Sequence, residues 1–148
     1  MHDLLVLFDD IEFVQTQNLP LKDLWYFLPF GYLITIAIET PILVVGLPSP
    51  ISLKQRLLCG AWLSACTYPI VILVLPALFF GSSRAVYLSV AETFAPVGEC
   101  LLFWLAFRNK GLLDSRGWVQ CFVTIVLANL ASFGFGEILS YYDWFGVF

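Results

Sequence analysis

Residues 24–47 read LWYFLPFGYLITIAIETPILVVGL, a run whose only charged side chain is Glu39. A helix rises about 1.5 Å per residue, so a run of this length covers the roughly 30 Å hydrocarbon core of a bilayer. Three further runs have the same character: Leu57 to Phe80, Ala85 to Phe107 and Trp118 to Leu139. The whole chain agrees with this reading, for 60% of its 148 residues are hydrophobic and only 12% charged. Soluble domains carry about 25% charged residues. Lipid tails solvate apolar side chains directly, whereas so few charges would not coat a water-facing surface. The sequence therefore predicts an all-α membrane protein, a four-transmembrane-helix bundle built as a single integral membrane domain over residues 1–148.

The linkers are short. Pro48, Ser49, Pro50 and Ser52 form a turn after the first run, Gly81 to Arg84 separate the second from the third, and Arg108 to Arg116 precede the fourth. The loops after the first and third runs share one side and hold Lys54, Arg56, Arg108, Lys110 and Arg116, against Lys22 and Arg84 on the other. By the positive-inside rule the basic loops are expected in the cytoplasm and both termini on the outer or lumenal side. Trp25, Tyr26, Tyr141, Tyr142 and Trp144 flank the outer ends of the first and last runs as an aromatic belt would.

Residues 1–20 have their own pattern. Leu4, Leu7, Phe8, Ile11 and Val14 share one helical face, with Asp9, Asp10 and Glu12 largely opposite. This reads as an amphipathic helix lying at the outer interface, with a docking helix for a partner subunit as the alternative, since its polar face is acidic rather than basic. With seven basic and eleven acidic residues, the chain has no electrostatic footprint for nucleic acid. Cys59, Cys66, Cys100 and Cys121 lie inside apolar runs without metal-site or redox spacing and read as small packing residues. His2 is the only histidine, and its place at the N-terminus argues against internal histidine-based acid–base catalysis, histidine-ligated haem and histidine-rich metal sites from this chain alone. No spacing motif specifies a cofactor or a metal.

What the apolar runs do not explain is their acids. Glu39 lies in the first run, Glu92 and Glu99 in the third and Glu137 near the outer end of the fourth. A charged side chain at a span centre costs about 2.5–3.5 kcal/mol on insertion scales, so such groups face a protein interior or a wet cavity. Glu39 and Glu99 are each eight residues from the basic-loop end of their run, at matched depth, and are expected to meet across the bundle axis. Glu92 precedes Glu99 by two helical turns, with Pro96 between them. These three are the candidates for handling ions or protons, and Glu137 reads as an interfacial polar residue. Thr67, Asn129 and Ser132 are expected to bridge helices or line the site, and Pro41, Pro69 and Pro96 to kink the helices that carry it.

Glu39 with Arg56 and Glu99 with Arg116 repeat one spacing sixty residues apart, so the four spans are expected to form two tandem parallel helical hairpins. No activated nucleophile or phosphate-binding loop is present, which makes an intramembrane enzyme the weakest reading. Two readings remain open. One is a proton- or cation-coupled carrier or conductor built on Glu39 and Glu99, expected to be a homo-oligomer because four helices enclose little volume. The other is a non-catalytic subunit of a larger membrane complex, packed against other membrane subunits or pigments.

Overall fold

The computed structural model describes residues 21–142, and among these every regular element is helical. The amphipathic segment 1–20, His2 and Trp144 lie outside the described residues. Helix α1 is Leu21–Gly46, α2 is Leu53–Pro69, a π-helical turn Ile70–Val74 joins α2 to the single turn α3 (Leu75–Leu78), α4 is Arg84–Phe107 and α5 is Ser115–Tyr141. Four helices are long and apolar enough to cross a membrane: Leu28–Gly46, Leu53–Leu78, Arg84–Phe107 and Ser115–Leu139. The chain is a multi-pass integral membrane protein, and its outward-facing residues, among them Val45, Leu78, Phe80, Val97 and Leu127, are those a lipid solvent accepts.

The helices begin where local chemistry caps them. Ser52 starts α2 in a reciprocal box, its hydroxyl accepting from the Gln55 N–H while the Gln55 side chain accepts from the Ser52 N–H at 2.9 Å. The Ser83 hydroxyl does the same for Val86 at the start of α4, and Asp114 accepts from the Gly117 N–H at 2.8 Å at the start of α5. The last carbonyls of α1 lack partners within the helix. Arg56 donates to the Val44 carbonyl at 2.6 Å and to Ile51 at 2.9 Å, while Gln120 and Thr124 donate to the Gly46 carbonyl at 2.8 and 3.1 Å. From the first turn of α2, Arg56 thus caps α1 as well as placing charge at this end of the bundle.

Packing runs around a ring in which α1 lies between α2 and α5, and α4 lies between the same two on the far side. Two glycines set its close approaches. A Cβ on Gly60 would collide with the Thr40 side chain and lie 2.9 Å from the Thr40 Cα, and a Cβ on Gly46 would collide with Thr124. The apolar core consists of Leu43, Leu47 and Ile51 from α1 and its loop, Cys59 and Leu63 from α2, Phe103 and Phe107 from α4, and Cys121, Ile125 and Ala128 from α5. Phe103 stacks on Phe107 at 4.5 Å between centroids and meets Trp118 edge-on at 6.1 Å. All of these residues lie toward the basic-loop end, the end that carries Lys54 and Lys110. The opposite end, here the Arg84 end, bears the α3–α4 turn, the start of α1 and the finish of α5.

The two hairpins superpose by burial pattern. Glu39, Leu43 and Leu47 of α1 are buried, and so are Glu99, Phe103 and Phe107 sixty residues on. On the return helices the shift is sixty-five: buried Cys59, Gly60, Leu63 and Ser64 correspond to Thr124, Ile125, Ala128 and Asn129, all four of which are also buried. In this register Arg56 matches Cys121, so the common spacing of Arg56 and Arg116 from their glutamates is not the repeat itself. Arg116 is exposed in the first turn of α5.

Replacing Gly60 by alanine forces backbone against backbone at Thr40. Overpacking of this kind costs about 1–3 kcal/mol. In detergent, Gly60→Ala is expected to expose the buried Cys59 and Cys121 to a thiol-reactive dye at a lower temperature than the parent chain, and equal labelling curves would refute the close-approach role.

Candidate functional site: a buried pair of carboxyl groups

Glu39 and Glu99 are each 2% exposed. The ring geometry explains how two acids are tolerated there. The Ser64 hydroxyl of α2 donates to Glu39 Oε2 at 2.6 Å, and the Ser132 hydroxyl of α5 donates to Glu39 Oε1 at 2.6 Å. The Thr67 hydroxyl of α2 donates to Glu99 Oε1 at 2.9 Å, and the Asn129 amide of α5 donates to Glu99 Oε2 at 2.7 Å. Each acid therefore joins its own helix to both neighbours, and each of the four seams of the ring is closed by one such bond. Under the repeat register, Ser64 corresponds to Asn129 and Thr67 to Ser132, so the network is pseudo-twofold as well. The two glutamates occupy opposite helices and are held by the helices between them, not by bonding to each other.

The donors have a second property. Each hydroxyl is also within reach of a carbonyl of its own helix: Ser64 to Gly60 at 3.0 Å, Thr67 to Leu63 at 3.2 Å and Ser132 to Asn129 at 2.9 Å. A hydroxyl has one hydrogen and can rotate it. With the acid ionised, the hydrogen points to the carboxylate. With the acid protonated, the hydroxyl turns to the carbonyl and accepts the proton of the acid. Both protonation states are thereby satisfied without moving a helix. Asn129 differs, for its amide donates to Glu99 and also to the Ile125 carbonyl at 3.0 Å, and an amide nitrogen only donates. A proton on Glu99 is accordingly directed to Oε1, facing Thr67.

Among the described residues no basic side chain pairs with Glu39, Glu99 or Glu92. Glu92 is half-buried on α4 and takes no part in the network. Glu137 receives a two-pronged contact from Arg84, at 2.9 and 2.8 Å, which ties the end of α5 to the start of α4. Thr67, Asn129 and Ser132 each donate to one of the two glutamates from a neighbouring helix. Ser64 is the member that sequence reasoning omitted, although its spacing of three residues from Thr67 puts it on the same helical face. Pro69 precedes the π-helical turn, while Pro41 and Pro96 sit inside continuous helices. In the π register the partner of the Val71 carbonyl would be Pro76, which has no N–H, and the Tyr87 hydroxyl donates to that carbonyl at 3.1 Å instead. No group of three or more histidine, cysteine, aspartate or glutamate side chains suited to a metal ion occurs among the described residues.

Comparison with known proteins gives no match to a family model, to a curated protein or to a solved structure. Fold and site together define a class: a four-span integral membrane protein with a pair of intramembrane carboxyl groups.

Asn129→Leu removes one of the two donors to Glu99 and puts hydrocarbon beside Oε2. Interhelical hydrogen bonds in membranes average about 0.6 kcal/mol and reach about 1.7. A loss at the upper end, about 1–2 kcal/mol, is expected because the orphaned acceptor is buried. Reversible unfolding in mixed detergent micelles, followed by circular dichroism, measures it; a change below a few tenths would mean that the bond contributes little.

Proposed function

We propose that this chain is a small proton-handling membrane protein, a conductor or a proton-coupled carrier, in which Glu39 and Glu99 take up and release the proton. The observation that carries this reading is the hydroxyl shell. Ser64, Thr67 and Ser132 each have a carboxyl oxygen and a backbone carbonyl within bonding distance, so protonation changes hydroxyl rotors rather than helix positions. Carboxyl groups that can hold either state inside a membrane are the device of proton relays and ion-coupled carriers. In this proposal the basic loops face the cytoplasm, following the distribution of lysine and arginine. Two copies associate in the bilayer, because one four-helix ring encloses little volume.

A second reading is favoured by a specific feature of the same site. The four carboxyl bonds fall one on each seam, which is the distribution that a purely structural role in a subunit of a larger complex would use. The two readings part on flux. Purified protein in liposomes containing a pH-sensitive dye is expected to dissipate an imposed proton gradient, and the double variant Glu39→Gln, Glu99→Gln, whose amides keep the size of the acids, is expected to lose that activity. Flux that is absent in the parent chain or unaltered in the double variant would sink the proton-handling reading.

A further inference from the structure

The two halves of the bundle differ in a way that bears on access to the glutamates. Toward the basic loops, the carboxyl layer is backed by a continuous apolar cluster in which Leu63, Phe103 and Ile125 are wholly inaccessible. Toward the Arg84 end, the buried apolar side chains among the described residues are Leu75, Ala91, Pro96 and Leu139, and none belongs to that cluster. The polar groups gather there instead. Glu92 lies two turns from Glu99 on the same face of α4, about 10 Å along the helix at about 1.5 Å per residue. No described side chain donates a hydrogen bond to its carboxyl, and Pro96 has no N–H to offer the backbone carbonyl of Glu92. Two acceptors thus stand at one level of the span. Glu137 of α5 lies within electrostatic range, as does Tyr87 on the same helix, and Arg84 is drawn to Glu137. The backbone is least regular in this half, with the π-helical turn opposite.

We propose that Glu99 exchanges its proton with the Arg84 end of the bundle through Glu92, while in this conformation the apolar cluster closes the other end. This rests on the proton-handling reading above and adds a route and a residue to it. The proton passes from water to the Glu92 carboxylate, then over bridging water to Oε1 of Glu99, the oxygen facing the Thr67 hydroxyl. Glu92 returns to its carboxylate form, so one proton is moved and none is lost. The Asn129 amide blocks the alternative landing place at Oε2.

Two measurements on the full chain test the route. In proteoliposomes, Glu92→Gln is expected to slow dissipation of a proton gradient by roughly tenfold or more, as for loss of one relay carboxyl, and Glu92→Asp to restore it. Independently of net flux, infrared spectra taken at acid pH in D2O follow deuterium exchange of the Glu99 carboxyl band, assigned by its loss in Glu99→Gln; that exchange is expected to slow in Glu92→Gln. Flux and exchange both at parent rates in Glu92→Gln overturn the route. If that happens while Glu39→Gln, Glu99→Gln is silent, the proton-handling reading survives and only the route fails. Parent-rate flux in that double variant overturns the reading itself.

Discussion

A carboxyl group in hydrocarbon must be given hydrogen-bond donors, because lipid supplies none. In this bundle that single constraint organises the middle of the membrane. Glu39 and Glu99 are too deep to reach a head group and, among the described residues, meet no lysine or arginine. Their four oxygens instead take four donors from α2 and α5. A donor on a neighbouring helix is useful only if that helix is held at one rotation and one depth. The acids therefore specify register as much as they join helices. Apolar packing alone is a weak guide in lipid, where helix surfaces gain nothing by leaving an equally apolar solvent.

The glycines and the aromatic cluster complete what the acids begin. Gly60 lets α2 approach Thr40, one residue from Glu39, which brings Ser64 within reach of the acid. Gly46 brings Thr124 of α5 against α1, and its carbonyl receives two side-chain bonds from that helix. The close contacts are therefore on α1, while α4 is held through bulkier Phe103 and Phe107 at the equivalent depth. The repeat is preserved in burial and in hydrogen bonding but not in side-chain volume, as expected when two similar hairpins must fill one core without voids.

The spans were legible because their signal is composition over twenty residues, and composition does not depend on partners. The matched depth of Glu39 and Glu99 was legible for a similar reason, since it needs only a count from the helix ends. The donors were legible in part. Asn129, Thr67 and Ser132 stand out as polar residues in apolar runs, but Ser64 sits between alanine and leucine with nothing to mark which way it faces. Its role depends on the rotation of α2, which Gly60 fixes through a contact with another helix. The repeat was detected at the glutamates and misassigned at the arginines, because the separation from each glutamate to its matching donor on the return helix is twenty-five residues in the first half and thirty in the second. Arg84 and Glu137 are fifty-three residues apart, and their pairing follows from the antiparallel ring rather than from any local pattern.

The repeat leaves its two acids chemically unequal, and that inequality has consequences for protons. Glu39 lies between two hydroxyls, each of which can donate or accept, so a proton can rest on either oxygen. Glu99 lies between one hydroxyl and one amide, and the amide donates whatever the charge state. The ionised form of Glu99 is thus served by one permanent donor, and its neutral form has one orientation rather than two. An exact duplication with serine at both positions would make the acids interchangeable. The single exchange of serine for asparagine between Ser64 and Asn129 distinguishes them, and with a field from one acid acting on the other, the pair has a physical basis for taking up protons in sequence rather than at random.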